Sequence, residues 1–133
     1  MNWTLERVVL ALSTLIFVGF GTWLFATPEA LSGIGIQLTE PAARIDIRAT
    51  YGGMELGFSA FLIICLLRDD WVRTGLVAAG CTIAGFGITR LAAIALEGEG
   101  TPLMWSFVAI EFVVAVGIAW VVRRGGQGVA DNS

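Results

Sequence analysis

The chain has 133 residues, 56% of them hydrophobic and only 14% charged, with a mean hydropathy of +0.81 and a formal net charge of −3. That balance excludes a soluble globular domain, and the length leaves room for a single domain. There is no His and no Lys, which removes His-ligated haem, histidine-box and zinc chemistry and any Lys Schiff base.

In chain order, four apolar stretches are each long enough to cross a hydrocarbon slab of ~30 Å. Helices are predicted over residues 7–26, 47–67, 72–96 and 102–122, forming one domain over residues 1–124 with a disordered polar tail at 125–133. The first stretch reads as a retained helix. Glu6 and Arg7 nearly cancel before it, its apolar run is too long for a signal peptide, and no small-x-small cleavage pattern follows it.

Pro28 ends that helix, Gly33 and Gly35 loosen the connection, and Pro41 restarts order. The run Leu31 to Leu38 is apolar for a surface loop, which predicts a short helix or turn lying in the membrane interface, or else a lid over an outward cavity. Arg68-Asp-Asp-Trp-Val-Arg73 is a tight turn that makes the second and third helices antiparallel neighbours. Glu97-Gly-Glu-Gly-Thr-Pro102 is another, with Pro102 at a first helical position. Short antiparallel connections predict an all-α, up-down-up-down four-helix transmembrane bundle.

Orientation follows from the arginines. Arg7, Arg68, Arg73, Arg123 and Arg124 fall on one side, while the opposite connections carry Glu29, Glu40, Asp46, Glu97 and Glu99 against Arg44. The bias puts both termini in the cytoplasm. Tryptophan agrees: Trp3, Trp71 and Trp120 lie near the inner boundary, Trp23 and Trp105 near the outer one. Cys65 and Cys81 are on different helices, form no CxxC, and read as small packing residues. Small-xxx-small faces occur at Gly53/Gly57, Gly80/Ala84 and Ala115/Ala119, with Gly19 and Gly21 playing a similar part on the first helix.

Four ionisable residues sit inside the apolar stretches: Arg48, Glu55, Arg90 and Glu111. At ~1.5 Å per residue, Glu55, Glu111 and Arg90 lie ~12, ~13 and ~9 Å in from the outer ends of their helices. Arg48 is near the outer boundary, where its head can snorkel. On the second helix Arg48, Tyr51 or Gly52, Glu55 and Ser59 share one face by 3–4 spacing. Gly52 and Gly53 leave room there for a helix or a ligand. Thr82, Thr89 and Ser106 add hydroxyls if they face inward.

Two arrangements are open. In one, Arg90 forks onto both Glu55 and Glu111 and bolts three helices together, while Arg48 serves the interface. In the other, the four charges line a small outward-facing polar cavity, where the arginines attract an anionic or carbonyl-bearing ligand and the glutamates accept protons or hydrogen bonds. Energetics favours the second, because buried ion pairs stabilise little relative to apolar packing. Each charge also costs ~2.5–3.5 kcal/mol at a helix centre.

Arg48-Ala-Thr-Tyr-Gly-Gly-Met-Glu-Leu-Gly57, Gly87-Ile-Thr-Arg-Leu91, the Glu-Gly before Pro102, and Glu111 together resemble a bacterial membrane family, domain of unknown function 4345. The architecture is similar to that of DoxX-like proteins. The resemblance covers nearly the whole chain, and Arg-x-x-Tyr-Gly-Gly is its most specific element. It implies a small four-helix inner-membrane protein and marks Arg48, Tyr51, Gly52, Gly53, Glu55, Arg90 and Glu111 as signature positions. It implies no activity, so no catalytic role is carried over.

The first functional expectation is binding or transport of a small or amphiphilic molecule, a lipid included, by Arg48, Tyr51, Glu55, Arg90 and Glu111. Gly52, Gly53 and Gly57 would give close packing or a cavity. An accessory or scaffold subunit of a larger membrane complex is the alternative. An enzyme modifying a lipid or isoprenoid with Glu55 or Glu111 as acid/base is the third reading. No cofactor, metal or nucleic-acid partner is expected. A parallel homo-oligomer stays open, while the one-sided arginine bias speaks against inverted dual-topology assembly.

Overall fold

The computed structural model describes residues 4–130, with side chains through Gly125. Helix α1 (Leu5–Ala26) starts where Thr4, in extended backbone, accepts the Arg7 N–H on its hydroxyl at 3.3 Å. Its buried positions Arg7, Leu10, Thr14, Phe17, Gly21 and Leu24 recur every three or four residues, so α1 turns one stripe inward. Pro28 cannot extend the α-helix and instead opens a 3-10 helix (Pro28–Ile34) that buries Pro28 and Leu31 against the chain. Gly35 closes it at φ 89°, a left-handed conformation in which the Ile36 N–H reaches the Leu31 carbonyl at 3.2 Å. The connection is thus a packed turn, as its apolar run predicts.

Helix α2 (Pro41–Ile47) has its proline at the first turn, where the missing N–H costs nothing. It runs without a break through a π-helical segment (Arg48–Gly53) into α3 (Met54–Leu67), giving one continuous 27-residue span. The second span therefore begins six residues before the predicted start at 47, because the chain around Asp46 is helical despite its charges. A three-residue 3-10 turn (Asp69–Trp71) leads into α4 (Val72–Glu97), and Gly98 caps α4 at φ 72°. Pro102 opens α5 (Pro102–Ala130). The predicted end at 122 and tail from 125 are corrected: the helix continues through Ala130, and residues 131–133 lie outside the described ones. Arg123 and Arg124 are good helix formers, and Arg124 stacks on Trp120 one turn back.

Four spans of 22, 27, 29 and 24 residues have mean hydropathies of 2.1, 1.6, 1.6 and 2.2, long and apolar enough to cross a membrane. Helix α1 packs on the π segment and α3, and α4 packs on α5 in the most extensive pairing. Contacts of α1 with α4 and of α3 with α4 join the two pairs. The shared core is Leu10 and Phe17 of α1, Leu62 and Cys65 of α3, Val72, Leu76, Ala79 and Ile83 of α4, and Ile118 and Val121 of α5. All of these but Phe17, just past the middle of α1, lie in the half of the bundle nearer the termini, and Leu24, Leu31, Ile94 and Val108 are buried in the other half. At that end a Cβ on Gly75 would sit 2.7 Å from Cβ of Cys65 and 3.0 Å from Leu10, so three helices converge on one glycine. The other half, nearer the Pro28–Ile34 turn, is called the loop end below.

Candidate functional site

Helix α1 ends with carbonyls that no further turn can satisfy. The Thr27 hydroxyl takes that of Trp23 at 2.8 Å, and Arg48 donates through Nε to that of Phe25 at 2.9 Å. Arg48 therefore caps α1, placing a cation at the negative end of the helix dipole. Its anchor is the π segment, where the backbone comes closest to α1. A Cβ on Gly52 would meet the Phe25 backbone at 2.9 Å. One turn further in, a Cβ on Gly21 would meet Cβ of Glu55 at 2.9 Å and the Leu56 backbone N at 3.0 Å. Glycines from both helices permit the crossing.

This geometry decides which residue of the second span shares a face with Arg48 and Glu55. It is Gly52, because Tyr51 points outward and is 41% exposed. Gly52, Glu55, Ser59 and Leu62 form one stripe toward α1, and Glu55 is half-buried on it. Among the described residues nothing packs closely on Gly53 and Gly57: a Cβ on Gly53 would meet only the Arg48 carbonyl, at 3.7 Å, and one on Gly57 would meet nothing within 4 Å. Both lie on the side of the helix turned away from α1.

The second charged group lies between α4 and α5. Arg90 donates from a terminal guanidinium nitrogen to Glu111 Oε1 at 2.9 Å, and from Nε to Oε1 and Oε2 at 3.3 and 3.2 Å. Its guanidinium also lies 5.2 Å from the Phe107 ring centre. The side chains are 32% and 15% exposed, so the pair is largely sheltered. Gly87 lets α5 approach: a Cβ there would be 3.3 Å from Cβ of Glu111.

The expected fork of Arg90 onto two glutamates is thus corrected to a fork onto one. Glu55 faces α1, Arg90 faces α5, and the four charges form two groups on two helix pairs. The hydroxyls turn away from both groups. Thr82 donates to the Ala78 carbonyl, Thr89 to that of Gly85, and Ser106 to that of Pro102, at 2.9, 2.8 and 2.9 Å. In hydrocarbon a hydroxyl needs an acceptor, and the carbonyl one turn back is always at hand.

After this sorting Arg48, Arg90 and Glu111 each have a partner, and Glu55 has none among the described residues. No fully buried side-chain oxygen or nitrogen lacks a partner among them either, so the Glu55 oxygens are accessible at the surface. Tyr51, one turn away, has a phenol equally without a protein partner among them. The chemistry on offer is a carboxylate acceptor at a depth where water is scarce, with the phenol on the neighbouring outward face.

Over residues 5–122 the chain matches the family model described as Domain of unknown function (DUF4345). The chain belongs to the DUF4345 family. No curated protein and no solved structure matches it. The match spans all four helices of this DUF4345 chain, in keeping with the resemblance read from its motifs.

Sequence reasoning missed two structural devices of this DUF4345 chain. Arg7, taken only as a marker of orientation, is 5% exposed, donates to the Leu66 carbonyl at 3.0 Å and pairs with Asp69, tying α1 to the turn before α4. The acidic Asp69-Asp70 turn on the same side of the membrane was the available signal. The other is the π segment, which has no sequence signature beyond paired glycines. It coincides with Arg48-Ala-Thr-Tyr-Gly-Gly53, the most specific motif, and π turns recur at functional sites.

Proposed function

We propose that this small polytopic helical membrane protein binds a small or amphiphilic molecule in the loop-end half of its bundle, with Glu55 as the group that holds it. One observation carries the reading: of the four intramembrane charges, Glu55 alone lacks a partner among the described residues while its oxygens stay accessible. A carboxylate at that depth is costly unless something donates to it. The ligand class is one that bears a hydroxyl or amine donor on an apolar body. Tyr51 is the second contact, and Arg48 and Arg90–Glu111 position the walls. The arginine bias supports cytoplasmic termini in a bacterial inner membrane, and release of the ligand to the other side would make the same site a transport site.

The purified chain in detergent, mixed with fractions of a lipid and metabolite extract of its host membrane, provides the test. A fraction that raises the wild-type melting temperature should leave Glu55→Gln unmoved. An equal rise in both places the ligand elsewhere.

A second reading, an accessory subunit, is favoured by the outward face of Gly53 and Gly57, which nothing covers among the described residues. A polypeptide that co-purifies with wild type and is lost from Gly57→Leu supports it. Retention of that polypeptide removes the glycine face as its contact.

A further inference from the structure

At the terminal end of the bundle two arginines lie against tryptophans. The Arg68 guanidinium is 4.8 Å from the Trp71 ring centre, at the start of α4, and that of Arg124 is 4.1 Å from Trp120, near the end of α5. These ends are neighbours, since α4 and α5 pack antiparallel and Val72 and Val121 share the core. Arg73 and Arg123, both exposed, stand beside them. None of the four arginines pairs with a carboxylate among the described residues, whereas Arg7 is consumed by Asp69. Glu6, Asp69 and Asp70 are the acidic side chains at this end among the described residues, against five arginines, so the face is net positive.

We infer that this face binds the phosphate of an anionic phospholipid. A ring beneath a guanidinium holds the plane flat and leaves its N–H edge free. That edge is a planar fork which matches a phosphate in two-point fashion. The spans fix the height: tryptophans sit at headgroup level, so the forks lie where lipid phosphates are and where anionic lipids concentrate attraction for basic side chains. The opposite end carries Glu29, Glu40, Asp46, Glu97 and Glu99 and repels the same headgroups.

The full chain in mixed micelles containing equal phosphatidylglycerol and phosphatidylcholine, examined by native mass spectrometry, tests this. Wild type should retain phosphatidylglycerol in preference, and Arg68→Gln with Arg124→Gln should reduce that retention roughly twenty-five-fold, about five-fold per arginine. Arg44→Gln, which removes one positive charge at the opposite end and is compared with each single variant, should leave it unchanged, and unaltered helicity separates the effect from misfolding. Equal retention of the two lipids overturns the inference, as does an undiminished adduct in the double variant. A loss of equal size in Arg44→Gln also overturns it, by reducing the effect to net charge. Inorganic phosphate alone should not compete at millimolar concentration, and full competition would replace the lipid with a soluble anion.

Discussion

At the scale of single residues, the four charges within the spans have three different tasks. Arg48 closes the end of α1, Arg90 and Glu111 lock α4 to α5, and Glu55 is left accessible and unpaired among the described residues. Removing one side of a sheltered pair strands the other, so Arg90→Leu should lower stability by about 2–3 kcal/mol, discounted for the exposed third of Arg90. Arg90→Leu with Glu111→Leu should recover most of that loss, since apolar groups of similar bulk replace such pairs without penalty. Unfolding in mild detergent reads the cycle. A double variant as weak as the single one would mean that the pair does more than lock helices. The identities and depths of these residues were legible in the sequence. Their partners were not, because 3–4 spacing says which residues share a face and not which helix that face meets. Arg90 and Glu55 are level, yet α4 turns Arg90 toward α5 and α3 turns Glu55 toward α1.

At the scale of elements, glycine makes the arrangement and its position decides its effect. Gly52 and Gly21 sit where α1 crosses the second span, and any Cβ there meets backbone. Gly52→Ala should therefore destabilise by about 1–3 kcal/mol through overpacking. Gly57→Ala should be neutral or stabilising by up to about 1 kcal/mol, because it adds helix propensity in open space. Thermal melts of the two variants side by side check the contrast, and equal losses would mean that Gly57 is covered by another chain. Sequence reading picked Gly53/Gly57 from the small-xxx-small pattern, which identifies a smooth face without saying that anything packs on it. The π segment explains the displacement: its wider turn shifts the phase between Arg48 and Glu55, so Gly52 lies under Phe25 while Gly53 swings outward. Helix ends were legible at Pro28, Gly98 and Pro102, where a proline or glycine marks them, but not at Pro41, where the charged residues that follow masked a helix start. Nor were they legible where α5 simply continues past the membrane.

At the scale of the molecule, four long apolar helices make a multi-pass membrane protein of the DUF4345 family. This was the most legible level, because length and hydropathy report it without tertiary information. An even number of spans puts both ends on one side, and the five arginines there predict that this side is cytoplasmic. Reporter fusions at residues 1 and 133 should both be active only if cytoplasm-specific, and one active periplasmic fusion would reverse the orientation. Within this frame the shared core closes the terminal half, the crossing at Gly52 and the lock at Arg90 shape the loop end, and Glu55 remains the group with chemistry to offer. The most direct measurement is native mass spectrometry of the chain extracted gently from its own membrane, compared with Glu55→Gln and Arg90→Leu/Glu111→Leu. The expected result is a stoichiometric small adduct on wild type and on the double variant that is absent from Glu55→Gln. An adduct that survives Glu55→Gln, or none on wild type beside other polypeptides, would contradict a ligand site at Glu55.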